Sequence, residues 1–159
     1  MKTILQSQRG FTLIELLVVV AIIGLLASVV LASLAGARKK GADASIKQQL
    51  TTLATQAELY YSDNNYYTPT GSAVNSNVCQ DVTIGMFGNP AITQMIDKAY
   101  ASSGNLAVRC RATVGANGGY AVQARLVSPS TPTYFCVDSN GARKEGTVAI
   151  ANGAAQVCP

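Results

Sequence analysis

Apolar and polar residues divide this chain into three regimes. From Phe11 to Gly36 the run FTLIELLVVVAIIGLLASVVLASLAG is apolar on every side and carries one ionisable side chain, Glu15. A hydrocarbon layer of ~30 Å takes ~20 such residues, so the run is long enough to cross a membrane as a helix. Beyond Arg38 the pattern narrows to a stripe. Ala42, Ile46, Leu50, Leu53, Ala57 and Tyr60 recur at helical spacing, which makes one apolar face. Lys39, Lys47, Gln48 and Thr55 fall away from it, on a face suited to water. A single helix is predicted from about Phe11 to about Ser62, roughly 75–80 Å at about 1.5 Å per residue. Asp63, Asn64 and Asn65 end it, because their side chains compete with helical backbone bonds.

Residues 63–88 read as a loop, rich in Asn, Ser, Thr and Gly with Pro69 and no clear period. Tyr60, Tyr61, Tyr66 and Tyr67 cluster at its start, some to pack under the loop and some to stay exposed. Asn89-Pro90 caps and opens a short helix over about Ala91–Ser102, with Ile92, Met95, Ile96 and Tyr100 on one side. Period-two alternation then takes over. Leu106, Val108, Cys110, Ala112 and Val114 alternate with Ala107, Arg109, Arg111 and Thr113. After the turn Ala116-Asn117-Gly118-Gly119, Tyr120, Val122, Ala124 and Leu126 alternate with Ala121, Gln123 and Arg125. A Ser/Pro loop at 128–132 leads to a third strand, Thr133–Asp138, and Asn140-Gly141 fits a tight hairpin turn. Thr147–Ile150 is a candidate fourth strand. The predicted class is α+β: a long N-terminal helix, half membrane-spanning and half amphipathic, against a three- or four-stranded antiparallel sheet. Arg109, Arg111 and Arg125 would share the solvated outer face of that sheet.

Two features of the apolar run carry chemistry. A lone carboxylate costs roughly 2.5–3.5 kcal/mol at the centre of a membrane helix and less near its end, so Glu15 calls for a compensating partner. A cut after Gly10 would supply one, since the ammonium of a new N-terminal Phe11 lies one helical turn away. The leader MKTILQSQRG is not an ordinary secretory signal, because its apolar core follows the cut and no small-x-small site ends that core. Gly24, Ser28, Ala32 and Gly36 also recur every four residues. Such rows let helix backbones approach closely where lipid provides no hydrophobic drive. No proline interrupts the run.

Charge adds little to this picture. The net charge is +4; without Lys2 and Arg9 of the leader, 10 basic side chains face 8 acidic ones, a balance that does not argue for nucleic acid. Lys2 and Arg9 precede the span while Arg38, Lys39 and Lys40 follow it, so the positive-inside rule is nearly balanced. Cysteine says more. Cys79, Cys110, Cys136 and Cys158 all lie beyond the span and are widely separated. A zinc site would use close ligand pairs, so two disulfides in an oxidising compartment fit better, with three connectivities open.

The order of leader, Gly10, Phe11, Thr12, Leu13, Glu15 and unbroken apolar run resembles the N-terminal signature of type IV pilins and the pseudopilins of type II secretion systems. The signature covers the first quarter of the chain, and the rest matches in layout. The resemblance implies a pilin fold with a leader at 1–10, a transmembrane and fibre-core helix at 11–37 and an extracytoplasmic head at 38–159. It implies cleavage after Gly10 and methylation of Phe11 by a prepilin peptidase. Assembly through Glu15, Gly24, Ser28, Ala32 and Gly36 into a helical homo-oligomeric fibre would follow, with Glu15 of one subunit pairing with the Phe11 ammonium of its neighbour. It implies disulfides Cys79–Cys110 and Cys136–Cys158, the second pinning the C-terminal tail as in many pilins. The other partners implied are membrane lipid before assembly and an inner-membrane assembly platform. The chain would be a single-pass inner-membrane protein with its leader cytoplasmic, and later part of an extracellular fibre. A pilus subunit is the first expectation, and a pseudopilin of a secretion or DNA-uptake system the alternative. A membrane-anchored binding domain that never polymerises is the third.

Catalysis finds no support in the residues. With no histidine in the chain, Ser-His-Asp and Cys-His arrangements are excluded. No phosphate-binding or dinucleotide-binding glycine motif occurs, and no cofactor or metal is expected. Asp138-Ser139-Asn140-Gly141 has the start of a calcium loop but lacks the later ligands, so a turn explains it better. DNA is disfavoured as a partner because three arginines make a small footprint.

Overall fold

A computed structural model describes residues 10–128, 131–150 and 156–159; most of the leader and part of the Ser/Pro loop lie outside them. The chain divides between Ala37 and Arg38 into two compact units. Helix α1, Leu13–Asn64, runs through both. In the first unit its residues are apolar and exposed on every side of the helix. It is the one helix among the described residues long and apolar enough to cross a membrane.

The second unit is built as the alternation of side chains dictates. Five strands, β1 (Val74–Ser76), β2 (Arg109–Ala112), β3 (Tyr120–Arg125), β4 (Tyr134–Asp138) and β5 (Arg143–Gly146), pair in sequence order, each antiparallel to the next. Helix α2, Pro90–Ser102, starts as its sequence requires: the Asn89 side chain accepts a hydrogen bond from the Ala91 N–H at 2.9 Å, with Pro90 in the first turn. Ile46, Leu50, Leu53 and Ala57 of α1, Ile92 and Ile96 of α2, and Val108, Tyr120, Val122 and Val137 of the sheet form one buried cluster. Helix α1 ends with Asn65 at φ 64°, a left-handed position that asparagine tolerates better than most residues.

The structure departs from the expected strands in two places. The segment expected to be loop contains β1 and two short 3₁₀ turns, Cys79–Asp81 and Gly85–Gly88. Strand β1 is only three residues long, too short to display a period, and becomes a strand by pairing with β2. The last strand is Arg143–Gly146 and not Thr147–Ile150. Arg-Lys-Glu-Gly offers no apolar face, and as an edge strand it needs none, because charged side chains protect a free edge. The sheet therefore has five strands, within the same α+β class.

Residues 147–150 and 156–158 lie across the sheet instead, and this overturns the solvated outer face. Gln123 holds the strap with both ends of its amide: Nε2 donates to Val148 O at 2.9 Å and Oε1 accepts from Ile150 N at 2.8 Å. Ala121, Cys136, Ile150 and Cys158 form a second buried cluster on this side. Arg111 is 1% exposed, not solvated, and its guanidinium donates to the carbonyls of Ser76 and Cys110 and to the side chain of Asn77. Burial, and then the neighbouring charge of Arg109, lower its pKa. Arg109 and Arg125 remain partly exposed.

Candidate functional site

The start of α1 is shaped by two side chains three residues apart. Glu15 Oε2 accepts hydrogen bonds from the Thr12 backbone N–H at 2.8 Å and from Thr12 Oγ1 at 2.7 Å, while Glu15 N donates to Thr12 Oγ1 at 3.3 Å. This is a capping box, which satisfies amide donors that the first turn of a helix leaves open. Glu15 Oε1 accepts nothing among the described residues. The Thr-x-x-Glu spacing of Thr12 and Glu15 is a helix-start signal legible in the sequence.

The other residues expected to act in processing and assembly are all exposed. Gly10 and Phe11 precede the helix, Phe11 at 91% exposure, and Phe11, Ile14, Val18 and Val19 surround Glu15 with apolar surface. Gly24, Ser28, Ala32 and Gly36 lie exposed along the helix, and Ser28 Oγ donates to the Leu25 carbonyl at 2.7 Å. A Cβ added at Gly24 or Gly36 would meet nothing within 4 Å. Among the described residues the single chain thus brings Thr12 and Glu15 together and leaves the small residues exposed.

Disulfides join Cys79 to Cys110 and Cys136 to Cys158, with Cα separations of 5.4 and 5.7 Å. The first ties the turn after β1 to β2, and the second ties the end of the strap to β4. Asp138 works beside the second. Its Oδ1 accepts from the N–H groups of Asn140 and Ala142, both at 3.0 Å, and its Oδ2 accepts from Cys158 N at 2.8 Å. The carboxylate is therefore engaged by the β4–β5 turn and the strap. Asp43, which the apolar stripe of α1 could not reveal, is buried and accepts from Val127 N at 2.6 Å and Ser128 N at 3.0 Å, fixing the chain after β3 to the helix.

The tyrosines pack mainly on one another. Tyr67 lies 4.8 Å from both Tyr61 and Tyr120, centroid to centroid, and its hydroxyl donates to Glu58 Oε1 at 2.9 Å. Burial first, and then Glu58, raise the Tyr67 and Tyr120 pKa values well above the ordinary phenol range. Both rings are buried and so are not stacking platforms for a ligand.

Comparison with known proteins agrees with this geometry. Residues 5–31 match the prokaryotic N-terminal methylation motif. Over 100 residues, 62% of this chain and 71% of the relative, the sequence is 38% identical to the type IV wide pilus major component PilA4 of Thermus thermophilus. It is 38% identical over 72 residues to the type II secretion system core protein G of Escherichia coli, and 34% identical over 74 residues to that of Vibrio cholerae. Those two matches cover 45% and 46% of this chain and about half of each relative, 50% and 51%. No solved structure matches the chain.

Proposed function

The chain belongs to the type IV pilin and pseudopilin family, and from that premise we propose that it is a structural subunit of a type IV pilus. It is cleaved after Gly10, methylated at Phe11 and polymerised through α1. The observation that carries this reading is the joint placement of an apolar helical segment, exposed throughout the first unit, and a carboxylate fixed at its start. Thr12 takes one oxygen of Glu15 and leaves Oε1 for the Phe11 ammonium of a neighbouring copy. A buried carboxylate without a partner is costly, so that pairing sets the register between adjacent subunits. The row Gly24, Ser28, Ala32 and Gly36 then permits close approach between helices.

Both disulfides lie in the unit beyond the span, which suits an oxidising space outside the cytoplasm and supports a leader on the cytoplasmic side. The subunit begins as a single-pass inner-membrane protein, held by lipid and cut by a prepilin peptidase. An assembly platform in that membrane then moves it into the fibre. It is the substrate of the processing enzyme, not itself an enzyme.

The second reading, a pseudopilin, is favoured by the matches to core protein G of secretion systems. Mass spectrometry of the subunit from its host, with and without prepilin peptidase, tests the shared step. The expected mass is that of a methylated chain beginning at Phe11, and a chain retaining all ten leader residues would refute both readings. Sheared fibres containing the subunit support the pilus. Loss of exoprotein secretion on deletion, without long fibres, supports the pseudopilin. A membrane-anchored domain that never polymerises would stay uncut and tolerate changes at Glu15.

A further inference from the structure

Helix α1 turns cationic where its apolar run ends. Arg38, Lys39, Lys40 and Gly41 are all exposed, and cover begins just beyond them, with Asp43 buried. From Leu13 to Leu34 the run takes twenty-two residues, about 33 Å at about 1.5 Å per residue. A hydrocarbon core is ~30 Å thick, and a bilayer with its headgroups ~40–45 Å. Arg38 follows Leu34 by four residues, about 6 Å, and so falls at the depth of the headgroups.

Among the described residues none of these three cations makes an ion pair, the one pair there being Lys47–Glu145 at 2.6 Å. The next acid along the helix, Asp43, is buried and accepts from the N–H groups of Val127 and Ser128. Lys40 lines a cleft with Lys47, Leu126 and Glu145, and there Lys47 holds the carboxylate. Arg125, partly exposed, precedes Leu126 and adds charge of the same sign. A Cβ added at Gly36 or Gly41, on either side of the triplet, would meet nothing within 4 Å.

The placement of the cations selects their partner. Successive helix positions turn by about 100°, so Arg38, Lys39 and Lys40 cover about 200° of the circumference over a rise of about 3 Å. A protein docked on one side of the helix faces only part of that arc. A membrane surface surrounds the helix at a single depth and meets all three. The long Lys and Arg stems can also lean along the helix to set their charges among headgroups.

We propose that Arg38, Lys39 and Lys40 form a cationic collar that binds the phosphates of anionic phospholipids in the leaflet facing the second unit. The collar rests on the membrane-spanning start of the subunit proposed above and is independent of what the subunit later builds. It gives the unassembled chain a preference among lipids that an apolar helix alone does not have. Each cation at an anionic surface favours contact by about fivefold at low salt. Leaving the bilayer then means giving up these contacts as well as the apolar ones, so the collar holds the subunit in the membrane until assembly replaces them.

Lipid selectivity of the full chain, reconstituted in phosphatidylcholine vesicles, tests the collar. Trace spin-labelled phosphatidylglycerol and spin-labelled phosphatidylcholine report, by electron spin resonance, the fraction of each lipid held at the protein. The parent is expected to favour phosphatidylglycerol at least about threefold at about 10 mM salt and to lose most of that preference at about 1 M, where screening is strong. Arg38→Gln with Lys39→Gln and Lys40→Gln should bring the two lipids to near equality. Lys2 and Arg9 stay in every variant, so the leader's charges cancel from the comparison. Arg38→Lys, which keeps the charge, should keep the preference, and so should Lys98→Gln with Arg143→Gln, which removes charge elsewhere on the second unit. Inorganic phosphate at constant ionic strength should not compete. A parent without the preference, a triple variant that retains it, or displacement by inorganic phosphate overturns the proposal. Those failures leave the chain in the vesicles and the subunit reading standing. A chain that does not float with the vesicles removes the spanning helix, and both readings with it.

Discussion

Glu15 has two jobs that its position allows together. One oxygen closes the capping box with Thr12, and the other is open to a neighbour. Glu15→Ala should therefore still insert in the membrane but fail to assemble, or lose methylation. Fractionation, fibre shearing and N-terminal mass check this, and normal fibres would defeat it. Gln123 is the corresponding residue in the sheet, a buried amide that pairs with a donor and an acceptor of the strap. Gln123→Leu leaves Val148 O and Ile150 N without those partners, at a cost of about 1–3 kcal/mol for buried groups left unpaired. Denaturant unfolding of the full chain in detergent should register that loss. An unchanged midpoint would mean that the strap is held elsewhere.

At the scale of elements, the tyrosine group joins the end of α1 to β3 and imposes a pH limit. Tyr67 and Tyr120 have pKa values raised from 10.0 by burial and by Glu58. The folded state thus keeps phenol protons that the unfolded chain releases above about pH 10. With fewer protons bound in the unfolded state, stability is fully present below that pH and falls as pH rises through and beyond it. Thermal unfolding at pH 9 and pH 11 should give a lower midpoint at pH 11. Tyr67→Phe, which cannot ionise, should reduce the difference. The strap is the other element that matters, because it converts an outward strand face into a second core. Arg111 reads as solvated in the sequence because alternation specifies which face a side chain takes and not what lies over that face.

For the whole molecule, the two disulfides hold elements that short-range signals fix weakly: the turn after β1 and the strap. Cys136–Cys158 spans a sequence separation of 22 residues. Closing a loop of that size removes about 3 kcal/mol of unfolded-state entropy at 25 °C. Replacing both cysteines by serine should lower the unfolding midpoint by an amount of that order, less whatever Gln123 and Asp138 retain through their own hydrogen bonds. Guanidinium titration would measure it, and a variant as stable as the parent would show that noncovalent contacts alone dock the tail.

Amino-acid order by itself determined the long helix, the second helix with its Asn89-Pro90 start, three of the strands and the family signature at Gly10, Phe11 and Glu15. These are written in local periods and caps, which depend on residues a few positions apart. Only the tertiary structure decided that Val74–Ser76 and Arg143–Gly146 are strands, that Asp43 is buried against the chain after β3, and that Arg111 and Gln123 lie beneath a strap. Each depends on a partner distant in sequence: a strand of three or four residues shows too little period to declare itself, and a side chain's burial is set by whichever segment comes to lie over it.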